Sequence, residues 1–246
     1  MDATDDTAAG VHSLASEFTR LGRLLGADQD AVMRPERIVS AVTKVVPDAS
    51  GCAITLTRGG ERPRSLAYTG SVALQVDLIQ FATNEGPCLD SLDRHDATIV
   101  DDLRTDTRWP TFARRCTAET DVRSILSLRL VLEGTDRAAM NLYANQPGRF
   151  GDEDVAVASM FAPFVALSVQ SALDQQRATN LEVALQTSRQ IGTAMGILMV
   201  RELVTSERAF ELLREASQNL NRKLRDIAAE VEFTGSLPDY DERHRP

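Results

Sequence analysis

From Arg189 to Pro238 the apolar residues return at helical spacing three times, and each run is cut by a helix-ending signal. Ile191, Ala194, Met195, Leu198 and Met199 give the first run one apolar face. Leu203-Val204-Thr205-Ser206 breaks it; Thr205 or Ser206 can cap the next helix, and Glu207 suits its positive N-terminus. Phe210, Leu213, Ala216 and Leu220 form a second stripe. Asn221 is the candidate N-cap of a third helix carrying Leu224, Ile227, Ala228 and Val231, which Gly235 and Pro238 end. Helices this short are not stable singly in water, so the three must share one core. The spacing therefore predicts a compact three-helix unit over residues 189–238, followed by a tail over 239–246.

Charge sets this unit apart. Arg189 to Arg225 holds seven Arg/Lys and four Glu, net +3, whereas residues 1–176 hold 17 basic and 25 acidic side chains, net −8. The whole chain, at −9, is unsuited to non-specific nucleic-acid binding, but its basic island is suited to a local anionic partner.

Upstream the pattern changes. Met1 to Gly10 is acidic, small and polar, and reads as a disordered tail. Val11–Leu25, with Leu14, Phe18, Leu21 and Leu25, and Arg34–Val46, with Ile38, Val39, Val42 and Val45, read as amphipathic helices, the second stopped by Pro47. Gly51–Arg58 alternates as a half-buried strand, and Gly59-Gly60 turns it into a second strand at Arg64–Thr69. A helix at Val76–Thr83, a short strand at Ala97–Val100 and a helix at Trp109–Thr117 follow. Two strong strands, Ser124–Leu132 and Ala138–Ala144, flank the turn Glu133-Gly134-Thr135-Asp136. Asp152 is a candidate N-cap for a long helix to Leu173. Helices around hairpin-joined strands make this an α+β domain with an antiparallel sheet flanked by helices. Val155–Leu173 carries no charge and approaches a bilayer span in length, but Ser159, Pro163, Ser168, Gln170 and Ser171 mark it as a helix packed on protein. No membrane partner is expected.

Two stretches resemble known families. GTAMGILMVRE followed by ERAFELLREASQNLNRKLRDIAAEVEFTGSLP resembles the ANTAR domain, the RNA-binding output module of bacterial antitermination regulators. Met195 stands where that family's first helix usually carries a Lys. EGPCLDSL, VDDLRTDTRWPTFARR, VRSILSLRL and AAMNLYANQPGRFGDED resemble a GAF domain, in particular the actinobacterial GAF domains joined to ANTAR modules. The expected organisation is a GAF sensor over 11–172, a helical connector over 173–188 and an all-α ANTAR bundle over 189–238. Leu173, Arg177, Asn180, Ala184, Thr187, Ile191, Ala194 and Leu198 follow 4,3 spacing, which reads as a weak coiled-coil seam for a homodimer.

The resemblance implies a cytoplasmic transcription antitermination regulator that binds hairpin RNA under control of its sensor. A DNA-binding regulator, or a sensor acting only through protein partners, are the alternatives. Candidate RNA-binding residues are Arg189, Arg201, Arg214, Ser217, Gln218, Asn221, Arg222, Lys223 and Arg225. Arginine planes stack on unpaired bases, amides read base edges, and a helix N-terminus favours phosphate. Arg214 and Asn221 would share one face if their helix ran that far. Gly196, costly within a helix, is explained best by close approach of either a neighbouring helix or RNA, the helix being preferred.

In the sensor, Cys88 in Glu85-Gly86-Pro87-Cys88 is a candidate sensor-pocket or redox residue, set against a reading as a small buried hydrophobe. Cys52 and Cys116 read as core. Three cysteines without C-x-x-C spacing give neither a disulfide framework nor a zinc knuckle and suit a reducing compartment. The N-terminus has no charged-then-apolar leader pattern. Asn145-Gln146, Phe150 and Asp152-Glu153 are similar to the NKFDE signature of cyclic-nucleotide GAF domains but lack its Lys, so no cyclic nucleotide is inferred. His12, His95 and His244 are scattered, and the Asp101, Asp102, Asp106 run lacks a calcium loop's closing Glu. With no phosphate loop or nucleophile elbow either, neither a cofactor nor catalysis is expected. An unidentified small-molecule ligand of the GAF domain remains an expected partner.

Overall fold

The computed structural model describes residues 34–46, 49–93 and 97–238. The expected tails, the Val11–Leu25 helix, Pro47 and all three histidines lie outside them. The chain divides into two compact units, Met1–Asp174 and Gln175–Pro246.

The first unit is built on one five-stranded sheet. Helix α1, Pro35–Val45, starts with Pro at its first turn, has Glu36 near its N-terminus and Lys44 near its C-terminus, and buries Ile38, Val39, Val42 and Val45. Strands β1, Gly51–Thr57, and β2, Arg64–Tyr68, pair antiparallel. The turn between them needs left-handed backbone at Gly59 (φ 50°) and Gly60 (φ 86°). Then come α2, Gly70–Thr83, α3, Pro87–Asp93, β3, Thr98–Val100, and α4, Pro110–Glu119. Strands β4, Ser124–Leu130, and β5, Arg137–Ala144, complete the sheet in the order β2-β1-β5-β4-β3, every neighbour antiparallel.

β1 departs from expectation: it is buried on both faces, not one. Cys52, Ile54 and Leu56 face a core shared with α1 and with Ala158, Phe161, Val165, Val169 and Leu173. Ala53 joins Ile125 and Tyr143 on the other face, against Val76 and Ile79 of α2 and Phe112 and Cys116 of α4. Helices cover both sides of the central strands, so alternation along β1 separates two cores rather than core from water.

The last helix of this unit opens α5, Asp152–Glu202. Three acidic residues crowd its first turn, but Asp152 is already inside the helix; the Asp154 carboxylate accepts the Gly151 amide at 2.9 Å instead. One face of residues 155–173 packs on the sheet while Ser159, Pro163 and Leu167 stay exposed. By length and composition this helix could cross a membrane; its packed face is that of a core helix.

The second unit holds the rest of α5 with α6, Ser206–Asn219, and α7, Leu224–Thr234. Its core is Ala194, Leu198, Ala209, Leu213, Ile227, Ala228 and Val231, with Ile191, Met195, Ala216, Leu220 and Leu224 packed around it. Thr205 caps α6 by accepting the Arg208 amide at 3.4 Å. Three expectations change. Ala209, not Phe210, faces the core; Phe210 is 39% exposed. Lys223, not Asn221, is the N-cap of α7, and Asn221 adopts a left-handed φ of 50° in the turn. Asn enters that conformation more readily than other residues bearing a Cβ. Gly196 meets nothing within 4 Å of where its Cβ would stand, so among the described residues no neighbouring helix closes on it.

The expected seam is also redistributed. Leu173 is buried in the first unit's core and Ala194 and Leu198 in the second's, so these three cannot also face a second copy.

Candidate functional site

The second unit sorts the candidate RNA-binding residues by what each side chain is already doing. Arg201 Nη1 donates to the Gly235 carbonyl at 2.6 Å, closing the end of α7 where Gly235 turns left-handed at φ 77°. Ser217 Oγ donates to the Arg222 carbonyl at 2.5 Å, tying the last turn of α6 to the entry of α7. Arg222 pairs with Glu230 at 2.6 Å and Arg225 with Asp226 at 3.4 Å. Arg189, Arg214, Gln218, Asn221 and Lys223 are exposed, and among the described residues their side chains bond to no protein group.

Position divides them as well. α6 stops at Asn219, so Arg214, within the helix, and Asn221, in the turn beyond it, do not share a helical face. Arg214, Gln218, Asn221 and Lys223 lie in sequence around that turn, and the Ser217–Arg222 bond draws its two sides together. α7 begins at this point with no side chain capping its first amides, leaving its partial positive charge beside these cations. Arg189 and Arg201 are elsewhere, 12 residues apart on α5, or about 18 Å along the helix. Met195 packs against the core of the unit. A lysine there would start from the bundle's interior side and reach solvent only through its stem.

The first unit holds a different constellation. Asp77 of α2 is fully buried. Its Oδ2 accepts from Ser65 Oγ at 2.6 Å and Thr55 Oγ1 at 3.1 Å; its Oδ1 accepts from the Tyr143 hydroxyl and from Asn141 Nδ2 at 3.4 Å. Asn141 also reaches Cys88 Sγ at 3.2 Å and takes a bond from Ser127 Oγ at 2.6 Å. Burial pushes the Asp77 carboxyl above the ordinary carboxylate range, and the Ser65, Tyr143, Thr55 and Asn141 hydrogen bonds pull it back. Sequence reasoning missed this cluster. Its only local sign was one carboxylate in the otherwise uncharged run Gly70–Asn84.

Cys88 sits at the edge of this network, fully buried, its thiol pushed up to about 12 by burial and then by Asp77. A thiol so shielded is not a ready thiolate, which weighs against redox chemistry. The surrounding Glu85-Gly86-Pro87-Cys88 works as a clasp. Glu85 Oε2 accepts the Thr111 and Phe112 amides at 2.7 and 3.0 Å, capping α4, and those bonds, Phe112's foremost, hold its carboxyl below its usual range. The Cys88 amide donates to Gln80 Oε1 at 2.9 Å, binding α3 to α2. Gly86, at φ 140°, leaves room for that amide: a Cβ would stand 2.2 Å from Gln80 Oε1. Cys52 and Cys116 are buried in the two sheet-face cores. Asp102 and Asp106 are each held by an arginine two residues on, at 2.7 and 2.6 Å.

The sequence profile of the GAF domain family matches residues 35–170, and that of the ANTAR domain matches residues 179–231. No curated protein matches the chain. Among solved structures, the chain is similar to the GAF domain of a phosphoenolpyruvate-protein phosphotransferase from Coxiella burnetii. The identity is 13%, over 68% of this chain and 98% of that one, with a TM-score of 0.49. A putative GAF sensor protein from Burkholderia vietnamiensis gives 14% identity over 68% and 94%, with a TM-score of 0.48. Free methionine-R-sulfoxide reductase from Neisseria meningitidis, solved with its substrate, gives 12% over 71% and 95%, with a TM-score of 0.49.

Proposed function

We propose that this chain, which belongs to the GAF domain family and carries an ANTAR domain behind it, is a dimeric transcription antitermination regulator that binds hairpin RNA. ANTAR domains bind RNA, and both matched domains are regulatory rather than catalytic. The observation that carries the reading is the turn between α6 and α7. There, among the described residues, Arg214 and Lys223 are without carboxylate partners, Lys223 at the uncapped N-terminus of α7 and Arg214 in the last two turns of α6, with the exposed Gln218 and Asn221 amides between them in sequence. Free cations and exposed amides at one turn fit phosphates and the base edges of an unpaired loop.

Arg222 and Arg225 are secondary, because contacts to RNA must first compete with Glu230 and Asp226. Arg201 and Ser217 act as positioning residues for the turns that present the others. The GAF domain serves as the sensor, with control reaching the RNA-binding unit of a cytoplasmic protein. A major-groove DNA reader fits less well: α7 carries exposed Asp226 and Glu232 along the helix that would enter the groove.

The test is a competition. The full chain, bound to a labelled RNA hairpin with a short loop, is challenged with unlabelled hairpin and with duplex DNA of equal length. Displacement by hairpin alone supports the reading; preferential displacement by duplex DNA overturns it.

A further inference from the structure

Within the first unit, a groove of about 380 Å³ stays open between α5 and the segment that follows β4. That volume lies in the range of sites that hold small molecules. Along α5 its lining runs from Ser159 to Gln170, about 16 Å of helix. At the Gln170 end the Glu133 amide donates to Gln170 Oε1 at 3.2 Å, which ties the hairpin to the helix and bounds the groove. The walls are apolar: Leu132, Ala162, Pro163 and Ala166 are joined by Val131, 77% exposed, and Leu167, 57% exposed. The groove adjoins the core beneath α5, on the sheet face opposite the Asp77 cluster.

The polar groups left over at this groove are acceptors. Pro163 has no amide hydrogen, so the Ser159 carbonyl lacks the bond that a helix would give it. The Glu133 carboxylate is exposed and, among the described residues, pairs with no cation. Among the described residues that line the groove the one cation is Arg129, and it turns away. Its neighbours Leu128 and Leu130 face the core under α5, so its side chain stands on the other sheet face. There its Nη1 donates to the Asp93 carbonyl at 3.3 Å. The Gln170 amide group is spent on Asp174 at 3.1 Å. Apolar walls with a free carboxylate at one end and a free carbonyl toward the other call for a ligand with matching parts. We infer that this groove binds a small apolar amine, its ammonium at Glu133, its hydrocarbon body against Ala166 and Leu167, and a second donor at Ser159. The site rests on the sensor reading above and gives it a ligand class. An anionic ligand suits the groove poorly, because it would meet Glu133 and find no cation in reach.

The experiment uses the full chain and two probes. Tyramine carries an ammonium and a hydroxyl at opposite ends of an aromatic body; hydroxyphenylpropionate replaces the ammonium with a carboxylate. Isothermal titration calorimetry measures both probes on the parent, on Glu133→Gln and on Leu167→Lys. Both substituted positions are exposed, so thermal unfolding is expected to stay at the parent's value. Tyramine binds the parent and hydroxyphenylpropionate does not. Glu133→Gln weakens tyramine about two- to fivefold, the scale of an exposed ion pair. Leu167→Lys, which sets a cation inside the groove, abolishes binding. No tyramine binding, equal binding of the two probes, or tyramine binding untouched by both substitutions overturns the site. So does sedimentation that changes with Leu167→Lys, which would make the groove a contact between proteins. Hairpin RNA binding, measured on the same samples, separates this site from the regulator. RNA binding without tyramine binding sinks the site and leaves the regulator standing; tyramine binding without RNA binding does the reverse.

Discussion

Asp77 is an acid and Arg214 a base, but the more instructive contrast is in how each group is held. Asp77 is enclosed, and side chains from β1, β2 and β5 converge on its carboxylate. Arg214 is exposed on α6 and, among the described residues, pairs with no acid. Around Asp77 the polar groups are spent on one another, so the cluster fixes how α2 and the sheet fit together. Around the α6–α7 turn they are left over, and leftover donors on a surface are what a polyanion can use. The first arrangement makes substitutions costly to folding; the second makes them costly to binding.

The largest expected effect tests the enclosed side. Asp77→Ala strands three buried or half-buried hydroxyls, and the loss should be about 3 kcal/mol in urea unfolding. Asp77→Asn is milder and informative through pH. Folding raises this carboxyl's pKa above its unfolded value, so the native state holds more protons between the two. That contribution is complete below the unfolded pKa and is lost as pH rises through the folded one. Stability should decline with rising pH across this window, and Asp77→Asn should flatten the decline in a series of urea midpoints.

Next in size is the clasp. Gly86→Ala places a Cβ against the Gln80 amide in a backbone region that alanine avoids, so thermal unfolding should show a loss exceeding about 1 kcal/mol. Thr205→Ala removes the α6 cap and should cost about 1 kcal/mol by the same measurement. Smallest for folding is Arg214→Ala, whose melting should stay within about 0.5 kcal/mol of the parent. A large stability loss there would break the contrast, because it would give Arg214 a structural role.

How much of this could be read beforehand follows the same division. The α+β sheet and the C-terminal bundle were legible because apolar spacing is a local signal, seen in Ile38-Val39-Val42 and in Ile227-Ala228-Val231. The errors came where two faces fitted one pattern. Phe210 and Ala209 differ by one position, and the bundle took the smaller residue. The 4,3 spacing of Leu173, Ala194 and Leu198 is real but serves the chain's own cores, while Leu181 and Leu185 are left exposed. Asn221 has the chemistry of a cap, yet the turn needed it left-handed. The Asp77 cluster was invisible because its partners lie 12 to 66 residues away in sequence, on separate strands. Among the candidate RNA-binding residues, sequence gave composition but not occupancy: which cations were already paired depended on Glu230, Asp226 and Gly235 arriving beside them.

The central claim is that leftover cations at the α6–α7 turn meet RNA phosphate. It is tested most directly by titrating a labelled hairpin with the full chain and with Arg214→Ala/Lys223→Ala over a range of salt concentrations. The account predicts that log affinity falls linearly with log salt for the parent, and that the double variant binds more weakly with a slope shallower by about two. Hairpin binding that ignores salt, or a double variant with the parent's affinity and slope, would contradict it.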